Sequence, residues 1–183
     1  MTPIIQPTIE KFFFIQEGIR EIFGSEVAKK LQEGEKRGLT KDNQVYLLWN
    51  DEVAIKGMLV RAGRASFYYW MQSFGPGLGW REPNFRLLPS HARSHQALVD
   101  LLNWMDAVKF LKTSLTESSD SWQLMVTGLF TSESIIDCNF FLGMLQELLS
   151  WAGGGKFFIV RETKCQGEED LFCEFVLNKN PLG

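Results

Sequence analysis

The sequence predicts an α+β fold, because two kinds of periodicity divide the chain. Apolar residues recur at helical spacing up to about residue 111, whereas the last sixty or so residues carry alternating, β-rich runs around one further helix. With 183 residues and 45% hydrophobic side chains, one compact domain spanning 1–183 is expected, with N-terminal helices over 8–111.

From Thr8 to about Arg37 the spacing of Ile9, Phe12, Phe13, Ile19, Ile22 and Phe23 makes an apolar stripe, interrupted at Gly24-Ser25. The following VYLLWN reads equally as a short strand or as the approach to the next helix. A second long helix runs from Asp51 or Glu52 to Phe74. Gly57 and Gly63 inside it each cost roughly 1 kcal/mol against alanine, which points either to a close approach by another backbone or a ligand or to glycines that the helix merely tolerates.

Phe74 to Pro89 holds three glycines and three prolines around Trp80 and Phe85, and reads as an ordered excursion or lid. Ser90 is expected to cap a third helix reaching Leu111. Thr113 to Ser121 reads as a polar loop, WQLMVTGLF as a strand, and a fourth helix starts at Ser132 or Ser134 and stops at Gly153-Gly154-Gly155. Two β-rich runs, KFFIVRETKC and DLFCEFVLN, close the chain as an antiparallel hairpin.

Composition narrows the function. A net charge of −3, with no long basic tract, disfavours nucleic acid. No apolar run is long enough for a membrane span or a signal core, and three cysteines at non-framework spacing suit a reduced, cytoplasmic protein. No P-loop, dinucleotide fingerprint or GxSxG elbow is present, and the pair His91 and His95 lacks the glutamate of HExxH, so catalysis is disfavoured.

Arg61, Arg64 and Arg86, with Arg81 and Arg93 beside them in the sequence, recur among Phe67, Tyr68, Met71, Phe74, Trp80 and Phe85. With Phe141 of the fourth helix they form a candidate set for an apolar, acid-bearing ligand, the guanidinium gripping the acid and the rings covering its body. An amphipathic helix with a solvated arginine edge gives the same pattern without a ligand. Cys138, Cys165 and Cys173, with Glu162 as a fourth donor, can hold zinc if the fold brings the hairpin to the start of the fourth helix. Plain packing and a reactive Cys138 thiolate are the alternatives.

The order Cys138, Gly143, Glu162, Cys165, an acidic turn at Gly167 to Asp170, then Cys173-Glu174-Phe175 resembles the closing signature of the 4-vinyl reductase domain family, most specifically over residues 120 to 178. The resemblance implies a fold related to the TRAPP vesicle-tethering subunits, with a helical layer on a small twisted antiparallel sheet and an apolar pocket between the layers. It also implies a hydrocarbon- or tetrapyrrole-binding sensor, carrier or chaperone, often a homodimer. A tethering-like oligomeric scaffold and a reductase-like enzyme with bound metal are the rival expectations.

Overall fold

The computed structural model describes residues 13–32, 52–128, 138–165 and 171–182. It has an α+β architecture in which helices are stacked on one face of a four-stranded antiparallel sheet. The helices are α1 (Phe13–Phe23), α2 (Ser25–Gln32), α3 (Glu52–Phe74), the one-turn α4 (Pro83–Arg86), α5 (Ser90–Ala107) and α6 (Cys138–Ala152). The strands are β1 (Lys112–Glu117), β2 (Ser121–Thr127), β3 (Val160–Lys164) and β4 (Cys173–Asn178), in the order β1-β2-β4-β3. No helix among the described residues is long and apolar enough to cross a membrane.

Glycine determines how closely the helices stack. A methyl group on Gly18 of α1 would overlap Ser66 and the Ala62 carbonyl of α3. On the other side of α3, Gly63 lies against the Phe140 carbonyl of α6, and Gly143 of α6 lies reciprocally against the Val60 carbonyl. α3 is therefore clamped between α1 and α6 by backbone contact, as its Gly63 predicts. Gly57 faces open space, so that glycine marks no crossing.

α6 is the link between helices and sheet. Its Cys138, Phe141, Leu145 and Leu148 are buried, and Phe141 meets Phe175 of β4 edge to face, with ring centroids 5.4 Å apart. On β2, Trp122, Leu124 and Val126 point inward, and on β4 Cys173, Phe175 and Leu177 do the same, the period-two pattern of a half-buried sheet.

The break between the first two helices falls at Gly24, whose φ of +91° suits glycine. α3 begins and ends where the sequence places it. Three expectations need correction. α5 stops at Ala107, short of Leu111, because the chain turns through Lys109 at φ +56° and Asp106 accepts hydrogen bonds from the backbone N–H and the hydroxyl of Thr113, both at 3.1 Å. Ser90 is the first helical residue and makes no cap bond; Pro89 holds the N-cap position. The polar segment after Thr113 is strand β1, not a loop. As an edge strand it presents mostly polar residues to solvent, and its serines and threonines conceal it. VYLLWN, the start of the fourth helix at Ser132 or Ser134 and the acidic turn 167–170 lie outside the described residues.

Candidate functional sites at the two ends of one helix

The first site forms where α6 begins. Cys138 is the first described residue of α6 and is buried, while Val126 of β2 pairs with Cys173 of β4, which brings the inward thiol of Cys173 beneath that helix end. β3 supplies the other two donors through an irregularity. Glu162 pairs with Phe175 and so shares its inward face, but Cys165 lies three residues on, an odd spacing that would turn it to the opposite face in a regular strand. The register shifts between Glu162 and Lys164, so that Lys164 rather than Thr163 stands opposite Glu174. That bulge absorbs one residue and returns Cys165 to the side of Glu162. Outside it, Lys164 Nζ pairs with Glu174 Oε2 at 3.1 Å and holds the shifted register.

Donor atoms of Cys138, Glu162, Cys165 and Cys173 consequently lie within 4.8 Å of one another. The Cys138 and Cys165 sulfurs are 3.7 Å apart, and Cys138 donates to Cys173 at 2.9 Å. That hydrogen bond, with burial and the nearby Glu162 carboxylate, holds the Cys138 thiol well above the usual thiol range. Glu162 Oε1 is buried and has no hydrogen-bond partner. Tetrahedral zinc with three thiolates and one carboxylate puts its sulfurs about 3.8 Å apart. The Cys138–Cys165 spacing already matches this, and Cys138 and Cys173 need to part by about 0.9 Å. The orphaned oxygen and the three soft donors fit the metal that the sequence suggested.

The second site forms where α6 ends. Its last turn is closed by the glycine run, with Gly153 donating to Leu149 O at 2.7 Å and Gly155 to Ser150 O at 2.7 Å, while Gly154 and Gly155 take φ of +79° and +84°. This frees Trp151 to face the segment that follows α3. A cavity of about 580 Å³ opens there, lined by Met71, Gly75, Trp80, Arg81, Phe85, Arg86, Arg93, Trp151 and Gly154.

Trp80, Phe85 and Trp151 form one stack. Trp80 and Trp151 are 4.9 Å apart at 27°, and Phe85 lies 5.8 Å from each at 15° and 18°. Trp80 is nearly buried and its indole N–H donates to Asp100 at 2.9 Å, so this ring is a fixed floor rather than part of a lid. Arg93 joins the walls: its Nε donates to the Ala152 carbonyl at 2.5 Å and a terminal nitrogen to the Arg86 carbonyl at 3.1 Å. The Ala152 carbonyl belongs to a helix C-terminus, where a cation is favoured.

The candidate ligand residues read from the sequence therefore divide. Met71, Trp80, Phe85 and Arg86 line the cavity, and Phe67 lies behind it, 6.3 Å from both Trp80 and Trp151. Phe74 packs on Trp104 and Phe141 on Phe175. Arg61, Arg64 and Tyr68 belong to another groove of about 360 Å³, where Arg64 donates to Glu147 at 2.7 Å. Arg81 and Arg93, which cluster in sequence with these aromatics, also line the cavity, and Trp151 is a functional candidate that the sequence reading passed over. A tryptophan immediately before a helix-ending glycine run was the available signal for Trp151. His91 and His95 lie over the buried ring of Trp122, at 5.4 and 6.0 Å, and His95 Nε2 is 3.9 Å from Glu117.

No family model matches the chain, and no curated protein matches it. Among solved structures, one described as "Structural insights into the molecular mechanism of H-NOX activation" is similar over 93% of this chain and 95% of its own, with a TM-score of 0.50 and 14% identity. Another, described as "Probing the function of heme distortion in the H-NOX family", covers 93% of this chain and 94% of its own, with a TM-score of 0.47 and 13% identity. At these identities the first likeness is one of fold, a helical stack on an antiparallel sheet.

Proposed function

We propose that the chain is a small-molecule-binding module, a sensor or carrier for a largely apolar ligand, whose C-terminal hairpin is fastened to α6 by a zinc ion. The observation that carries the reading is the cavity at the α6 C-terminus. Its volume lies within the roughly 300–1,000 Å³ of small-molecule sites, and three stacked aromatic rings face a few polar groups. The metal is structural in this reading. Four protein donors leave no open position, and a bound zinc would replace the protons of the thiols with ligand bonds.

The 4-vinyl reductase resemblance supports the same reading, since the residues that carry it include all four donors. It also names hydrocarbons and tetrapyrroles as ligand classes to try. The cavity lining supplies no histidine to a tetrapyrrole's metal, since both histidines of the chain lie against Trp122, and Met71 is the one soft side chain it offers among the described residues. Titration of a panel of tetrapyrroles, fatty acids and aromatic hydrocarbons, followed by tryptophan fluorescence, tests the proposal. Saturable quenching that Trp151→Ala weakens is expected. A flat response across the panel would remove the proposal.

A further inference from the structure

The cavity carries a charge pattern that an apolar ligand alone does not explain. Among the described residues, three arginines line it and no acidic residue does. Arg93 is committed to the Ala152 and Arg86 carbonyls and acts as a strut. Arg81 and Arg86 differ. Both are exposed, and neither has an ion-pair or hydrogen-bond partner for its side chain among the described residues. Asp100, the nearby acid fixed by contact with the aromatic floor, is occupied by the Trp80 indole N–H and by Gln96 at 2.8 Å.

We infer that the ligand is a planar aromatic acid, whose ring lies against Trp151 and Phe85 and whose carboxylate or phosphate is held by Arg81 and Arg86. The inference rests on the ligand-binding reading above and narrows it to one chemical class. The geometry of the segment after α3 places the two guanidiniums. Gly79 at φ +75° closes the short turn Gly75–Leu78 and sets Trp80 into the floor, so the next residue, Arg81, emerges at the edge of the ring stack. Arg86 ends α4, whose Phe85 belongs to the same stack, so it too stands one residue from an aromatic wall.

Each cation is thus tied by the backbone to a ring of the floor. Flat rings below and unpaired guanidiniums at the edge match a molecule with a flat body and an anionic end. Guanidinium forks bind carboxylate and phosphate alike, so the shared requirement is the anionic group. The groove containing Arg61 and Arg64 does not repeat this pattern, because Glu147 already takes the Arg64 guanidinium.

Calorimetric titration of the whole chain with 1-naphthoate and with its neutral counterpart 1-naphthalenemethanol tests the inference, with 1-naphthyl phosphate as a third probe. The acids are expected to bind roughly tenfold or more tightly than the alcohol, as one or two charge-assisted hydrogen bonds allow. The double variant R81Q/R86Q is expected to erase that preference while keeping alcohol binding, and R61Q to leave it intact. Equal affinity for acid and alcohol, or a preference that survives R81Q/R86Q, would overturn the inference while the binding module stands. Failure of all three probes to bind would overturn the inference and count against the module as well.

Discussion

The two ends of α6 are built to opposite specifications. At its start, four donor atoms brought together by α6, β4 and the end of β3 converge within 4.8 Å, a spacing that suits an ion. At its end, a glycine run opens the backbone beside a cavity of about 580 Å³ with flat aromatic walls. The first end fits a permanent fastening, because every donor is supplied by the chain itself. The second fits a visitor, because two of its cations are left without a side-chain partner among the described residues. Between the two lies Gly143, pressed on Val60 of α3, so the helix is held at its middle as well as its ends.

The largest effect that separates these regions should come from Cys173→Ser or Cys138→Ser. Either is expected to abolish stoichiometric zinc, measured by mass spectrometry of the intact protein. It should also lower the melting temperature by roughly 10 °C, at about 2–4 °C per kcal/mol for a chain of this size. Aromatic ligand affinity, measured below the new transition, should change far less. Equal loss at both ends would merge the two sites into one cooperative unit.

Gly143→Ala comes next. The added methyl overlaps the Val60 carbonyl and must push α3 from α6, at a cost of about 1–3 kcal/mol read from denaturant unfolding, with zinc content unchanged. Inserting one alanine between Lys164 and Cys165 adds a residue that the bulge does not absorb and should turn Cys165 away from Glu162. Zinc affinity is expected to fall by roughly 10–100-fold or more, judged against the effect of lost supporting contacts at metal sites. Retained affinity in a competition titration would dissociate the bulge from the metal centre.

The pH dependence should differ between metal-free and zinc-loaded protein. The Cys138 thiol is raised in the fold, so the protonated form is the one that folding favours. That contribution is present below the ordinary thiol pKa of about 8.5 and is lost as pH rises through the raised value. Metal-free protein is therefore expected to lose stability above about pH 8.5. Zinc binding releases the thiol protons, so zinc affinity should instead increase with pH. Thermal melts across pH 7 to 10 with and without chelator check both signs. The smallest effect is expected for Arg64→Ala, whose partly exposed pair with Glu147 contributes under about 1 kcal/mol and whose loss should leave aromatic binding unchanged.

The two ends also differ in how well the sequence exposes them. The cysteine centre was legible because its donors are rare residue types and the resemblance ordered them along the chain. Only the bulge at Thr163, which reconciles an odd spacing with a common face, needed coordinates. The cavity was half legible. Trp80, Phe85 and Arg86 stand in one glycine- and proline-rich stretch that closely follows Met71, whereas Trp151 and Arg93 arrive from α6 and α5, and helical periodicity records only which face is apolar. Arg61 and Arg64 were drawn into the same set because they precede those aromatics by a few residues. A helix 23 residues long carries them to a different groove. Among the elements, β1 was missed for a related reason: an edge strand dominated by Ser and Thr has a loop's composition.

The account is tested most directly by the indole N–H signals of the six tryptophans in a two-dimensional NMR spectrum, followed as 1-naphthoate is added. The Trp80 and Trp151 signals should move together and saturate, while Trp122, buried between sheet and histidines, stays in place. Movement of Trp122 without Trp80 and Trp151, or no movement at all, would contradict a ligand site at the end of α6.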